Sequence, residues 1–256
     1  MLPDLSPGSA VAIAGAEDWA EMTKRTAEFL SPEKSRFTLN GMKLEIGERG
    51  GRMVATDGHK LSLVERGGCV GKFNAFIPAR LVLSKAAAGG DVELYEDDNH
   101  IQVNVSGRRV VVRKLSGTFP DYERVIPYKS KAPVLEVDAA ALLAAAERAG
   151  KVIGKKEHCR PVVVNLNGCA SVQVQEGYQK IVKYQEDVPA QWGGQTDTPM
   201  KVDVDYLGVV LRAVGPGMVS LRVPVSQGEG GTPRVDGAIL AKGVEGVTVV
   251  LMPIRW

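Results

Sequence analysis

The chain has 256 residues, long for a single compact domain and suited to two domains of about 100 to 150 residues each. Hydrophobic residues make up 44% and charged residues 24%, a balance that excludes wholesale disorder, collagen-like structure and a membrane-embedded chain. With Lys and Arg at 32 and Asp and Glu at 30, the net charge is +2; this excludes a protein held to nucleic acid by overall charge, so any such contact has to be local.

Residues 1–9 read as a leader, and the Met1 start before Val11 favours a natural chain over a fragment of a longer one. The apolar run Ala10 to Ala16 has no basic flank before it and is far too short to span a bilayer. Trp19, Met22, Thr26, Phe29 and Leu30 recur at three- and four-residue spacing, with Glu21, Lys24, Arg25 and Glu28 on the opposite face, which predicts an amphipathic helix over about 17–30. Phe37 and Leu39, then Met42, Leu44 and Ile46, alternate with polar residues around Asn40-Gly41. Further alternating runs follow at 52–65, 92–96, 101–106 and 108–115, and all of these read as antiparallel strands. A second helix is expected over Pro78 to Ala88, since Pro suits the first helical position and Gly89-Gly90 supplies a stop.

The second half repeats that order. Asp138 can cap a helix running to about Ala149, alternating strands follow from Pro161 to Gln175, and Asp203 or Asp205 opens another helix ending near Gly215. Asn40-Gly41 recurs as Asn167-Gly168 and Gly89 as Gly215, at intervals that differ by one residue, which reads as two copies of one domain. Pro127 to Pro133 (PYKSKAP) is the natural joint, giving domains 10–130 and 131–256. The expected class is α+β, each domain carrying two helices packed on antiparallel sheets, with Val110 to Val112 and Val219 to Val225 as candidate edges for joining subunits.

Three segments carry the chemistry: Val54-Ala55-Thr56-Asp57-Gly58-His59-Lys60-Leu61-Ser62, a strand, a tight Asp-Gly turn and a second strand; Gly117 to Pro127 (GTFPDYERVIP), with an aromatic-proline corner; and the ending Val250-Leu251-Met252-Pro253-Ile254-Arg255-Trp256. Together with Phe37 to Met42 (FTLNGM), in this order, they resemble the sliding-clamp family of bacterial replication, the beta subunit of DNA polymerase III. The resemblance covers residues 10–256 and likens the first half to the family's middle domain and the second to its C-terminal domain, with nothing matching the N-terminal domain. It implies two copies of the DNA-clamp domain and a ring of six domains, which a two-domain chain reaches as a homotrimer around duplex DNA, without reading its sequence. It also implies docking of DNA polymerase, clamp loader and repair proteins through short peptides bearing a Gln and bulky hydrophobic residues, in a pocket between the middle and C-terminal domains.

Carried over by position, the peptide-binding residues are Leu39, Thr56, Gly58, His59, Lys60, Leu61, Pro120, Arg124, Val125, Tyr206, Val250, Met252, Pro253, Ile254 and Arg255. Leu, Val, Met, Pro and Ile supply an apolar slot, while His59 and Arg124 orient a polar peptide, and Met suits a site serving several partners. Lys60 stands where the family commonly has Arg, and Ile254 where it has Met; Cys159 lies near a position that can carry Phe. The resemblance further implies DNA-facing helices, with Lys24, Arg25, Arg80, Lys85, Arg148, Lys151 and Arg212 as candidate phosphate contacts.

Other chemistry is set aside. Cys69, Cys159 and Cys169 form no CxxC pair, which argues against a disulfide framework or structural zinc and fits a reducing cytoplasm, at the nucleoid given the DNA partner. Neighbours on a strand point to opposite faces, so His158-Cys159 does not make a nucleophile and base. Asp97-Asp98 fits a hairpin tip, Glu17-Asp18 a helix start, and Gly228 to Thr232 a hairpin loop without a phosphate-loop ending. The reading is a non-catalytic scaffold without cofactor or metal; the rival is a clamp-derived regulator or decoy that binds the same peptides without encircling DNA.

Overall fold

The computed structural model describes residues 3–5, 8–33, 35–78, 90–154, 159–176 and 181–254. The chain forms two compact units, Met1–Asp121 and Tyr122–Trp256.

In the first unit, β1 (Ala12–Ala14) leads into α1 (Ala16–Thr26), followed by a 3-10 turn at Ala27–Phe29. The helix buries Trp19, Met22 and Thr26 against strands β3 (Gly50–Thr56) and β4 (Lys60–Arg66). Burying each of the two large apolar side chains contributes roughly 1.5 to 3 kcal/mol. Glu17 and Asp18 occupy the first turn of α1 and Lys24 and Arg25 the last, in line with the helix dipole. A four-stranded sheet runs in the order β6 (Phe73–Pro78), β2 (Gly41–Gly47), β3, β4. A five-stranded sheet runs in the order β5 (Cys69–Gly71), β1, β7 (Val92–Glu96), β8 (His100–Val105), β9 (Arg108–Arg113), so the anticipated Val110 to Val112 edge is an edge.

Two expectations fail locally here. Phe37–Leu39 is a 3-10 turn, closed by the Leu39 amide donating to Arg36 O at 2.8 Å, and the strand begins at Gly41. Gly41 is required by a close approach: a Cβ there would sit 2.4 Å from Ile77 O and 2.7 Å from Leu115 Cδ1. Pro78 ends β6, paired with Gly41, rather than opening a helix. The remainder of the helix expected to Ala88, with Arg80, Lys85 and the Gly89 stop, lies outside the described residues.

In the second unit, β10 (Val134–Asp138) leads into α2 (Ala139–Ile153), capped by Asp138 Oδ1, which accepts from the Ala141 amide at 2.8 Å. One set of strands runs β14 (Thr198–Asp203), β11 (Pro161–Leu166), β12 (Cys169–Glu176), β13 (Ile181–Trp192). A second runs β13, β10, β15 (Met218–Arg222), β18 (Ile239–Lys242), β19 (Val247–Leu251). The long β13 serves both, residues 181–189 against β12 and 190–192 against β10. Helix α3 (Val204–Val214) packs beside α2 and against β19, while β16 (Val225–Gln227) and β17 (Pro233–Val235) form a hairpin.

The duplication is visible in these orders: β6-β2-β3-β4 repeats as β14-β11-β12-β13, and β5-β1-β7-β8-β9 as β13-β10-β15-β18-β19. In the first unit Gly67-Gly68 breaks into β4 and β5 what the second keeps as the single strand β13. The Asn-Gly landmarks do not correspond, since Asn40-Gly41 leads into β2, with Gly41 its first residue, whereas Asn167-Gly168 is the β11–β12 turn, with Gly168 at φ 67°. Nor is Val219 to Val225 an edge: β15 lies between β10 and β18. The fold is α+β, one domain architecture present twice.

Candidate functional site

In the first unit the candidate residues gather at the β3–β4 turn. Gly58 adopts φ 92°, the left-handed region that glycine enters without steric cost. Thr56 Oγ1 donates to Lys60 O at 2.8 Å and accepts from the Gly58 amide at 3.1 Å. Asp57 Oδ1 accepts from the His59 and Lys60 amides at 2.8 and 2.9 Å, and its Oδ2 accepts from Lys60 Nζ at 2.6 Å. The two side chains of that ion pair are 6% and 5% exposed, and Lys60 Nζ also stands 5.5 Å from the centre of the Phe29 ring. The Arg36 guanidinium donates to Asp57 O at 3.2 Å.

Thr56, Lys60 and Leu61 are therefore buried, and Gly58 and His59 form the exposed tip. Lys60 serves the turn through Asp57, a residue that the sequence reading did not select although the Asp-x-x-Lys spacing carries the signal. Leu39 is half-buried in its 3-10 turn, whose carbonyl accepts from the Ser31 amide at 3.0 Å. Pro120 is exposed beside Phe119, which packs edge-on against Phe76 with ring centres 5.5 Å apart.

In the second unit, Tyr122–Arg124 forms a 3-10 turn that buries Tyr122 and leaves Arg124 and Val125 exposed, Val125 at 52%. Val250 is buried in β19, and Met252, Pro253 and Ile254 continue from it half-buried. The Ile254 amide donates to Lys201 O at 2.8 Å, which ties the chain end to β14 just before α3. Tyr206 lies in the first turn of α3, its amide donating to the capping Asp203 Oδ1 at 3.2 Å. Arg255, like Trp256 and His158, lies outside the described residues.

Of the candidate DNA-facing residues, Lys24 is exposed on α1, while Arg25 Nε donates to Glu21 at 2.5 Å and holds that carboxyl below its ordinary range. Arg148 on α2 donates to both carboxylate oxygens of Glu186 on β13, at 2.7 and 2.5 Å. That contact, with the Tyr184 hydroxyl donating to the same carboxylate, pulls Glu186 down to about 2. Lys151 and Arg212 line an open groove of about 500 Å³ between α2 and α3, opposite Glu147 and Asp205. Arg160, which the sequence reading missed, clasps this groove: its amide donates to Asp203 Oδ2 at 2.8 Å, Nη1 to Gly150 O at 3.1 Å, and Nε to Asp205 Oδ2 at 2.7 Å. It thus satisfies carbonyls at the end of α2 and pairs with the start of α3.

No group of three or more potential metal ligands occurs among the described residues. Burial, then the hydrogen bond and charge of Asp203, push the Cys159 thiol up, and burial pushes Cys69 up to about 11, both away from thiolate character. Among the described residues no helix is long and apolar enough to cross a membrane.

Two tandem domains of this kind, with paired helices against antiparallel sheets in the second and the same strand orders in the first, define the DNA-clamp class of architecture. Residues 16–121 match the family model for the DNA polymerase III beta subunit, central domain. The chain is 25% identical over 257 residues to the beta sliding clamp of Pseudomonas putida, covering 97% of this chain and 66% of that one. It is 29% identical over 143 residues to that of Caulobacter vibrioides, covering 52% and 38%. The fold superposes on a sliding clamp from Bartonella birtlesii bound to griselimycin with a TM-score of 0.81 at 21% identity, covering 99% of this chain and 68% of that one. It superposes on a clamp from Pseudomonas aeruginosa with a TM-score of 0.78 at 23% identity, covering 99% and 69%. Over residues 16–121 the chain is similar to the central domain of the bacterial DNA polymerase III beta subunit, and it spans from about four tenths to two thirds of the length of these two sequence relatives.

Proposed function

We propose that this chain is a DNA sliding-clamp subunit, a non-catalytic processivity factor that encircles duplex DNA and tethers DNA polymerase, clamp loader and repair proteins. The observation that carries this reading is the match of residues 16–121 to the beta-subunit central domain, extended by similarity to a sliding clamp over nearly the whole chain. Its working halves are residues 10–130 and 131–256, and three chains close a ring of six domains. Helix cations such as Lys24, Lys151 and Arg212 meet phosphates without reading sequence. The exposed tip Gly58-His59 with Pro120, and the segment Arg124-Val125 with Met252 to Ile254, bind partner peptides bearing a Gln and bulky hydrophobic residues.

Met252→Ala combined with Pro253→Ala tests the peptide assignment. Fluorescence anisotropy with a labelled synthetic peptide of that composition is expected to show at least about a tenfold loss of affinity, because two buried anchor contacts are removed, while the urea midpoint stays near wild type. Unchanged affinity in the double variant overturns the assignment.

A further inference from the structure

The sheet face of the second unit turned away from α2 and α3 carries a feature that the proposed peptide site does not use. Leu135, Val137, Val219, Leu221, Ala241 and Val249 fill the core face. Strand alternation therefore turns Val134, Ser220, Arg222, Leu240 and Lys242 to the other side. There, with Tyr128, they enclose a small recess of about 60 Å³, the size of a single carboxylate-bearing side-chain end.

Its chemistry is cationic and convergent. Arg222 Nη1 donates to Ser130 O at 2.8 Å, which fixes the guanidinium and leaves Nε and Nη2 without a partner among the described residues. Lys242 is exposed and holds no carboxylate among the described residues. The acid nearest in register is Glu136, paired with Ser220 across β10 and β15, so two cations face one acid. Val134 and Leu240 form apolar walls, and Tyr128, 46% exposed, stands at the rim.

The recess is continuous with the candidate peptide residues. Val134, Arg222, Leu240 and Val250 stand side by side in one cross-strand row over β10, β15, β18 and β19, and Tyr128 follows Arg124-Val125 closely in the chain. We infer that this recess is an auxiliary specificity subsite that takes an acidic side chain flanking the hydrophobic anchors of a partner peptide. The inference rests on the peptide-binding reading above. A fixed guanidinium offering two free donors, beside an ammonium and the Ser220 hydroxyl, suits a carboxylate, and the apolar walls suit the methylenes that carry it.

The test uses one labelled synthetic peptide with a Gln and bulky hydrophobic anchors, flanked on both sides either by Asp-Glu or by Asn-Gln. Against the wild-type chain the acidic form is expected to bind about five- to tenfold more tightly at low salt, a preference that shrinks as salt rises. Lys242→Gln and Arg222→Gln, made separately, are expected to reduce that preference and leave the neutral peptide's affinity as it was. Lys242→Gln removes no side-chain hydrogen bond or ion pair among the described residues, so it reads the subsite even where Arg222→Gln disturbs folding. Equal wild-type affinity for the two flanks, or a preference that survives Lys242→Gln, overturns the subsite while the peptide site stands. Failure of both peptides to bind the wild type overturns the peptide site and the subsite with it.

Discussion

Asp57 and Lys60 show how much one pair can hold. Three donors converge on a single carboxylate, two from the backbone and one from the ammonium, and both side chains are nearly sealed from water. Asp57→Ala removes the carboxylate that a buried ammonium and two backbone amides share. The expected cost is about 3 to 5 kcal/mol, read from urea unfolding. Lys60→Met retains the stem's packing and leaves Asp57 its two backbone donors, so it is expected to cost less; the reverse order would show that the pair does not hold the turn. The turn itself was legible, because Asp-Gly between alternating runs has few other conformations. The inward direction of Lys60 was not, since it depends on Phe29, which the 3-10 turn after α1 delivers from 31 positions away in sequence.

Among the elements, the helices were read best: Trp19, Met22 and Thr26 set one face of α1, and Asp138 and Asp203 cap α2 and α3 by hydrogen bonds from amides two or three residues ahead. Such signals are local. What fixes α2 to its sheet is not local, because Arg148 reaches Glu186 on β13. Glu186 is held at about 2, below the usual carboxylate range, so the pair's contribution is fully present above about pH 4.5 and is lost as pH falls through about 2. Carboxyl NMR titration is expected to place Glu186 near 2 in the wild type and to shift it upward in Arg148→Ala, with the Tyr184 hydroxyl still holding it somewhat low; a value that does not move would exclude Arg148 as the main cause. Under the proposed clamp function, Arg148 would have to be shared with, or released from, Glu186 to meet a phosphate.

For the whole molecule, the internal repeat argues for cyclic assembly, since a chain built from one domain twice presents equivalent surfaces in series. β9 ends its sheet, and residues 181–189 of β13 pair on one side only, with β12, among the described residues. Light scattering coupled to size exclusion is expected to give three times the mass of one chain across a range of concentrations. A concentration-independent monomer or dimer would remove the six-domain ring. The acidic-peptide preference and the Met252 and Pro253 variants can be read in either case, because every residue they probe lies in the second unit.

The sequence by itself determined the class, the starts of α1, α2 and α3 with the caps of the last two, most of the strand runs it marked and the family likeness, because periodicity, capping and turn chemistry act over a few residues and leave a direct trace in the chain. Tertiary structure decided which strands are edges, that Phe37–Leu39 coils and Gly41 starts a strand against Ile77, that Asn40-Gly41 and Asn167-Gly168 are not equivalent, and which cations are already engaged. Each of these turns on register, close approach or charge pairing between residues distant in sequence, and such contacts exist only once the sheets have formed.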